Sequence, residues 1–411
     1  MEKLIKNAVV GQSGGPTSAI NATLSGVVRG VNENPETFGT LYGMKNGIEG
    51  FLSEDLVDLG AIFDSEDKLR SLEQTPAAAL GSCRKKLPEP DSGDPVYERI
   101  TEILKKYNIG YFFYIGGNDS MDAVAKLSRY YETHELDIKL IGVPKTIDND
   151  LCGTDHAPGY GSAAKYIAAT VQEIIRDCAV YRVPAVTIVE IMGRDAGWLT
   201  ASAALGRTVS GISPDLVYLP ECVFDMDKFF IDIEKSLKKH PNVVVAVSEG
   251  VRFADGRYVG ESSQSGIADV FGHKYLAGTG KMLELAVREK FGCKVRSIEL
   301  SLPQRCAAHM QSATDIAESV RVGRGAAEAA IGAETGIMMI IERISNKPYA
   351  SRIMHTDIKN TANKMRGVPR EFINEEGNGV TDECLDYILP LIEGEIYPKY
   401  KNGLPVHFII K

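Results

Sequence analysis

The segment VPKTIDND, residues 143–150, sets a cation, a hydroxyl and two carboxylates within six residues: Lys145, Thr146, Asp148 and Asp150. A carboxylate such as Asp148 can accept a proton from a substrate hydroxyl. Asp150 can hold the region in place or position a metal, and Lys145 offers a point charge to a phosphate. The same residues also suit an Asx-rich turn with a solvated lysine. In GQSGGPTSAIN, Gly14 and Gly15 stand at a strand-to-helix turn. There backbone N–H groups approach an anion and the helix N-terminus adds partial positive charge. A tight turn that needs positive φ would use the same glycines. IGGNDS repeats the device with Asn118 and Asp119 at its tip. A carboxylate at a phosphate turn is unfavourable unless it caps the helix, holds a metal or excludes a ligand, and a plain N-cap at Asp119 is the simplest alternative. Further on, VEIMGRDAGW offers Met192, Gly193 and Arg194, VVVAVSEGV offers Glu249, and VRSIELSLPQRC offers Arg296 and Arg305. One arginine at a strand end is ordinary surface charge; several such strand ends in one chain suggest a site.

The elements that must position these residues alternate between strand and helix. NAVVGQSGGPTSAINATLSGVVRG reads as strand, glycine turn, and a helix beginning near Thr17. YFFYIGGNDSMDAVAKLSRYY repeats the plan, its helix begun by Asp119 or Ser120. Further strands are expected at Leu140–Val143, Val186–Ile191, Leu216–Leu219, Val243–Val247, Lys294–Leu300 and Ile337–Ile341. This order implies parallel α/β layers with ligands at the C-terminal ends of the strands. EQTPAAALGSCRKKLPEPDSGDP is the clearest long loop. At 411 residues the chain exceeds one ordinary core, so two or three domains are expected. No apolar run is long enough to span a bilayer, and MEKLIKNAVVG lacks the apolar stretch of a signal peptide, so a cytoplasmic protein is expected. Seven scattered cysteines, with no CxxC pair, suit reduced thiols. A net charge of −9 argues against nucleic-acid binding and requires any phosphate site to concentrate its own Arg and Lys.

Taken together, GGPTSAIN, LGSCRK, GGNDS, PKTIDND, MGRDAGW, SEG and the QR of LSLPQRC resemble the phosphofructokinase family, in that family's order and over most of the chain. The resemblance implies two Rossmann-like parallel-sheet domains with helices on both faces, meeting across a cleft. The phosphoryl-donor domain is expected to span 1–159 plus about 304–345. The sugar-phosphate domain is expected to span about 160–303 plus 346–411. It implies Asp148 as the base that takes the proton of the 1-hydroxyl of fructose 6-phosphate, with Thr146, Ile147 and Asp150 beside it. It implies Met192, Gly193, Arg194 and Glu249 as sugar contacts and Arg305 as a ligand of the 6-phosphate. Arg296 would join them from a neighbouring subunit, hence a homodimer or homotetramer. Gly14, Gly15 and Arg84 look like donor-phosphate contacts, and Asn118 and Asp150 like holders of Mg²⁺.

Two positions bear on the donor. ATP-using members of the family carry GGDGS and PGTIDND, whereas this chain has Asp119 and Lys145 where they have glycine. Both departures resemble the pyrophosphate-dependent branch. A carboxylate at Asp119 fills space and repels the α-phosphate side of a nucleotide. Lys145 can bind pyrophosphate and neutralise charge as the phosphoryl group moves. Three differences from the family pattern stand beside these. Asn118 replaces a metal-linked aspartate, and an amide oxygen is the weaker Mg²⁺ ligand. Leu302 replaces a polar or aromatic sugar contact. The arginine common upstream of MGR falls on Ala185 by counting, or on Arg182 if the spacing slips. The rival readings are an ATP-dependent kinase and a non-catalytic subunit that binds sugar phosphates.

Overall fold

The computed structural model describes residues 5–260 and 278–410. Two β-sheets organise them. The larger runs in the order β11-β10-β5-β4-β1-β2-β3. Its strands are β1 (Lys6–Gln12), β2 (Phe38–Met44), β3 (Leu56–Asp58), β4 (Ile109–Gly116), β5 (Lys139–Pro144), β10 (Ile337–Asn346) and β11 (Tyr349–Asp357). The neighbours from β10 to β2 are parallel, and the two edge strands, β3 and β11, are antiparallel. The smaller sheet is wholly parallel, in the order β7-β8-β6-β9, formed by β6 (Ala185–Ile191), β7 (Leu216–Tyr218), β8 (Asn242–Ser248) and β9 (Lys294–Glu299).

The composition of the strands explains this burial. Parallel sheets are covered on both faces, so their central strands read as near-continuous apolar runs. Val9 and Val10 of β1, Phe112, Phe113 and Ile115 of β4, and Val245 and Val247 of β8 are fully buried. Helices Ile20–Asn32, Asn118–Thr133 and Tyr160–Cys178 bury their apolar stripes against these sheets.

Register then brings the turns together. Gln12 stands opposite Ile115, and Gly116 opposite Pro144, so β1, β4 and β5 end side by side. The chain leaves β1 for β2 on one side and returns as β4 on the other. That reversal opens a crevice outside the carboxyl ends of the strands. In the second sheet, β6 and β8 also end level, and the Glu249 N–H donates to the Ile191 carbonyl at 2.9 Å.

Some local expectations shift. The first helix begins at Ile20 rather than near Thr17, because the Thr17 hydroxyl accepts the Ala19 N–H at 3.2 Å and residues 13–19 stay a loop. The helix after β4 begins at Asn118 with Gly117 in the cap position. Asp119 therefore lies inside the first turn and is not its N-cap. The hairpin β10–β11 straddles the domain crossing expected near residue 345, with both strands in the larger sheet. We propose that the crossing lies after Asp357 instead.

Candidate active site

Three strand ends of the larger sheet build one wall of a cleft. Gly14 takes φ +76°, a backbone shape that side chains disfavour, and its N–H donates to the Cys83 carbonyl at 3.1 Å. That bond draws in the long loop and sets Arg84 on the cleft wall. Lys145 follows β5 directly. It is only 3% exposed, and its Nζ donates to the Gly15 carbonyl at 2.6 Å. The lysine thus ties the end of β5 to the glycine turn of β1. Burial, helped by Arg305 and Arg84, lowers its pKa to about 8 against the opposing pull of Asp148 and Asp150.

Asp148 is half-buried in the same wall, and its N–H donates to the Thr146 Oγ1 at 3.1 Å. Burial, and then the charge of Asp150, raise its carboxyl to about 7; Lys145 and Arg194 oppose the rise. Asp150 is likewise raised by burial, against hydrogen bonds from Asn118 and Thr146. The Asn118 Nδ2 donates to Asp150 Oδ2 at 3.1 Å, while Asn118 Oδ1 is buried with no hydrogen-bond partner. That orphaned acceptor beside a carboxylate fits a hard cation such as Mg²⁺. Among the described residues no cluster of three or more His, Cys, Asp or Glu could hold a metal by itself. Any cation here would take most of its ligands from a substrate and from water.

Asp119 pairs with Lys86 at 3.4 Å, both half-exposed. Its carboxylate therefore stands at the outer end of the wall with a cation of its own.

The smaller sheet supplies the facing wall. The Met192 N–H donates to Gln304 Oε1 at 3.1 Å and the Gly193 N–H to Glu249 Oε1 at 3.3 Å. Gly193 takes φ +132°, and a Cβ there would meet the Ala196 carbonyl oxygen at 2.5 Å, so the MGRDAG turn requires glycine. Burial raises Glu249 to about 7, opposed by the Gly193 N–H and assisted by Asp148. Arg305 reaches across from the helix Pro303–Cys306, with its Nη1 3.3 Å from where a Cβ on Gly15 would lie. Ile147 lines the cleft with one edge and is otherwise in the core.

The cleft holds about 340 Å³, within the size of small-molecule sites. Gly14, Gly15, Arg84, Asn118, Asp119 and Lys145 line it, as do Thr146, Ile147, Asp148 and Asp150. Met192, Arg194, Glu249 and Arg305 complete the expected set. Gly193 sits just behind the rim. Two expected residues do not join within one chain. Arg296 lies on exposed β9, in a hollow with Asp177, Tyr181 and Lys294 at the other end of the smaller sheet. Leu302 is 56% exposed at the start of its short helix and is not part of the cleft lining.

The cleft also holds residues that the motifs did not single out. Asp195 is next to Arg194 and could have been read from the same turn. Thr17 and Ser120 belong to the two glycine turns. Met365 arrives from far along the chain through a bridge to Leu151, and nothing in its local sequence signals this. Altogether four cations, Arg84, Lys145, Arg194 and Arg305, face five carboxylates on the described lining. The cations that an anionic ligand needs are thus gathered locally despite the chain's net charge of −9.

A family model described as phosphofructokinase matches residues 7–330. The pyrophosphate–fructose 6-phosphate 1-phosphotransferase of Halomonas elongata is 40% identical over 401 residues, covering 97% of this chain and 94% of that protein. The protein of the same name from Methylococcus capsulatus is 39% identical over 402 residues, again 97% and 94%. The crystal structure of a pyrophosphate-dependent phosphofructokinase from Nitrosospira multiformis superposes with a TM-score of 0.89 at 38% identity, covering 98% of this chain and 96% of that one.

Proposed function

Because the chain belongs to the phosphofructokinase family, we propose that it transfers a phosphoryl group from pyrophosphate to the 1-hydroxyl of fructose 6-phosphate. The products are fructose 1,6-bisphosphate and phosphate, and the reaction is reversible and Mg²⁺-dependent. The observation that carries this reading is the placement of Lys145, buried between the Gly15 carbonyl and the carboxylates Asp148 and Asp150. A cation there meets the end of a short phosphate donor.

In the proposed step Asp148 takes the proton of the 1-hydroxyl as its oxygen bonds to phosphorus. The bridging P–O bond of pyrophosphate breaks, and its electron pair leaves with phosphate. Lys145, Arg84 and the backbone of Gly14 and Gly15 hold donor oxygens as charge moves between them. Asp119, braced by Lys86, stands where a longer nucleotide would continue. Met192, Gly193, Arg194 and Glu249 hold the sugar, with Thr146 and Ile147 beneath it and Arg305 on the 6-phosphate. Asn118 Oδ1 and Asp150 would help hold Mg²⁺, which when bound would offset the donor charge that the mixed cleft leaves unneutralised.

No helix among the described residues is long and apolar enough to cross a membrane, and we place the protein in the cytoplasm. We further propose a homodimer or homotetramer, in which Arg296 serves the cleft of another copy. Running the reaction backwards tests the reading: fructose 1,6-bisphosphate and phosphate, with Mg²⁺, should yield pyrophosphate. No pyrophosphate formation would refute it.

The shifted groups set a pH profile. Below about 7 Asp148 carries its own proton and cannot accept another, and above about 8 Lys145 loses its charge. The plot of kcat/KM, which reports the free enzyme, is expected to be a bell with limbs near those values. In Lys145→Arg the alkaline limb should vanish from the residual activity, because arginine keeps its charge. An alkaline limb unchanged in that variant would clear Lys145 of it.

Arg305→Ala should raise KM for the sugar phosphate more than it lowers kcat, since the 6-phosphate does not react. Removing its charge should also move the alkaline limb upward, because Arg305 depresses Lys145. An unchanged KM would free Arg305 from the 6-phosphate role.

A further inference from the structure

We propose that Arg366 and Tyr387 form a brace that holds the turn Asp148–Asn149–Asp150 in its working shape, and so act as positioning residues for the reaction proposed above, on which this inference rests. Both lie beyond residue 330, where the family match ends.

The turn pivots on Asn149, which is 1% exposed and takes φ +53°, a left-handed conformation uncommon outside glycine. Its direction sets where the carboxyls on either side of it point. The Asn149 side chain is held at both ends: Oδ1 accepts the Ala157 N–H at 3.0 Å, and Nδ2 donates to the Tyr387 hydroxyl at 3.0 Å. That hydroxyl donates in turn to the Asp155 carbonyl at 2.6 Å and accepts from Arg366 Nη2 at 3.0 Å.

Arg366 grips the same turn from the other side. Its backbone N–H donates to the Asp150 carbonyl at 2.8 Å, and its Nη1 donates to the Thr154 carbonyl at 3.2 Å. Its guanidinium lies 4.7 Å over the Trp198 ring, and the Trp198 Nε1 donates to the Arg366 carbonyl at 3.1 Å. Trp198 opens the short helix that follows the MGRDAG turn. The brace therefore fixes the two carboxylates of one cleft wall relative to Arg194 of the other. Without it Asn149 is free to return to ordinary backbone angles, and such a change would swing Asp148 away from the reacting hydroxyl.

Tyr387→Phe deletes one oxygen and keeps the ring, and Arg366→Met keeps an unbranched stem and removes the guanidinium. Full-length variants are assayed with fructose 6-phosphate, Mg²⁺ and pyrophosphate, well below each variant's Tm. Each is expected to lose roughly 10- to 100-fold in kcat, the scale of a misplaced catalytic group. KM for either substrate should stay within about threefold. The loss should fall on kcat and not on KM, because the brace positions the base and touches neither substrate. A merely structural role would lower Tm and leave kcat near the wild-type value at temperatures well below it. If Arg366→Met does not fold, Tyr387→Phe decides alone. Wild-type kcat in Tyr387→Phe overturns the brace while the reading stands. A wild-type chain inactive with pyrophosphate overturns the reading, and the brace's role with it.

Discussion

Asp148→Asn is expected to lower kcat by on the order of 10²- to 10⁴-fold, the usual contribution of a positioned base, while KM for both substrates changes little. The amide matches the carboxylate in shape and keeps the turn held by Thr146 and Asn149, but it cannot take the hydroxyl proton. Asp148 is suited to the role because burial and Asp150 bring its pKa to about 7, close to the pH at which it would work. A base poised there is ionised enough to accept a proton and basic enough to keep it. The acid limb that the Asp148 carboxyl sets should be lost from the residual activity. Steady-state kinetics across pH 6–9 measure both effects. A variant with near-normal kcat would remove Asp148 from the mechanism.

The second large effect is on the choice of donor. Asp119→Gly with Lys145→Gly should make ATP turnover measurable and sharply weaken pyrophosphate turnover. The two changes act through different physics. Asp119 lies inside the first turn of its helix and is paired with Lys86 only half-exposed, so removing it clears space and deletes a repulsive charge. Lys145 is buried against the glycine turn, so removing it deletes attraction for the transferring group where solvent cannot replace it. Asp119→Gly alone should gain ATP activity and keep much of its pyrophosphate activity. Lys145→Gly alone should lose pyrophosphate activity and gain little. A desolvated charge contact of this kind is worth about 2–4 kcal/mol, or roughly 30- to 1,000-fold. The ratio of kcat/KM for the two donors is the quantity to follow, and a ratio unmoved in the double variant would refute the assignment.

Much of this site was legible in the sequence because a parallel α/β fold puts chemistry at the C-terminal ends of strands. Each motif follows an apolar run, so Lys145, Asp148, Arg194 and Glu249 could be placed at strand ends before any coordinates. What was not legible depended on contacts far apart in the chain. Met365 reaches the cleft, and Arg366 the turn behind it, by pairing with Leu151 and Asp150, which no local pattern encodes. Lys86 became relevant only through its pairing with Asp119. Three strands of the larger sheet, two of them at its edges, do not show in the sequence for local reasons. β2 is interrupted by Gly39 and Gly43, β3 has three residues, and β11 alternates polar residues along an exposed edge. Leu302 and Arg296 were implied by the family resemblance, and a resemblance in sequence does not say which way a side chain faces.

The most direct test is a pair of initial rates from the purified full-length chain, with fructose 6-phosphate and Mg²⁺, and either pyrophosphate or ATP as donor. Pyrophosphate should support turnover, with fructose 1,6-bisphosphate and phosphate appearing in equal amounts. The kcat/KM for ATP should be lower by at least about 30-fold, the smaller end of the charge effect expected from Asp119 and Lys145. A preference for ATP would contradict the account, and so would binding of fructose 6-phosphate without product from either donor.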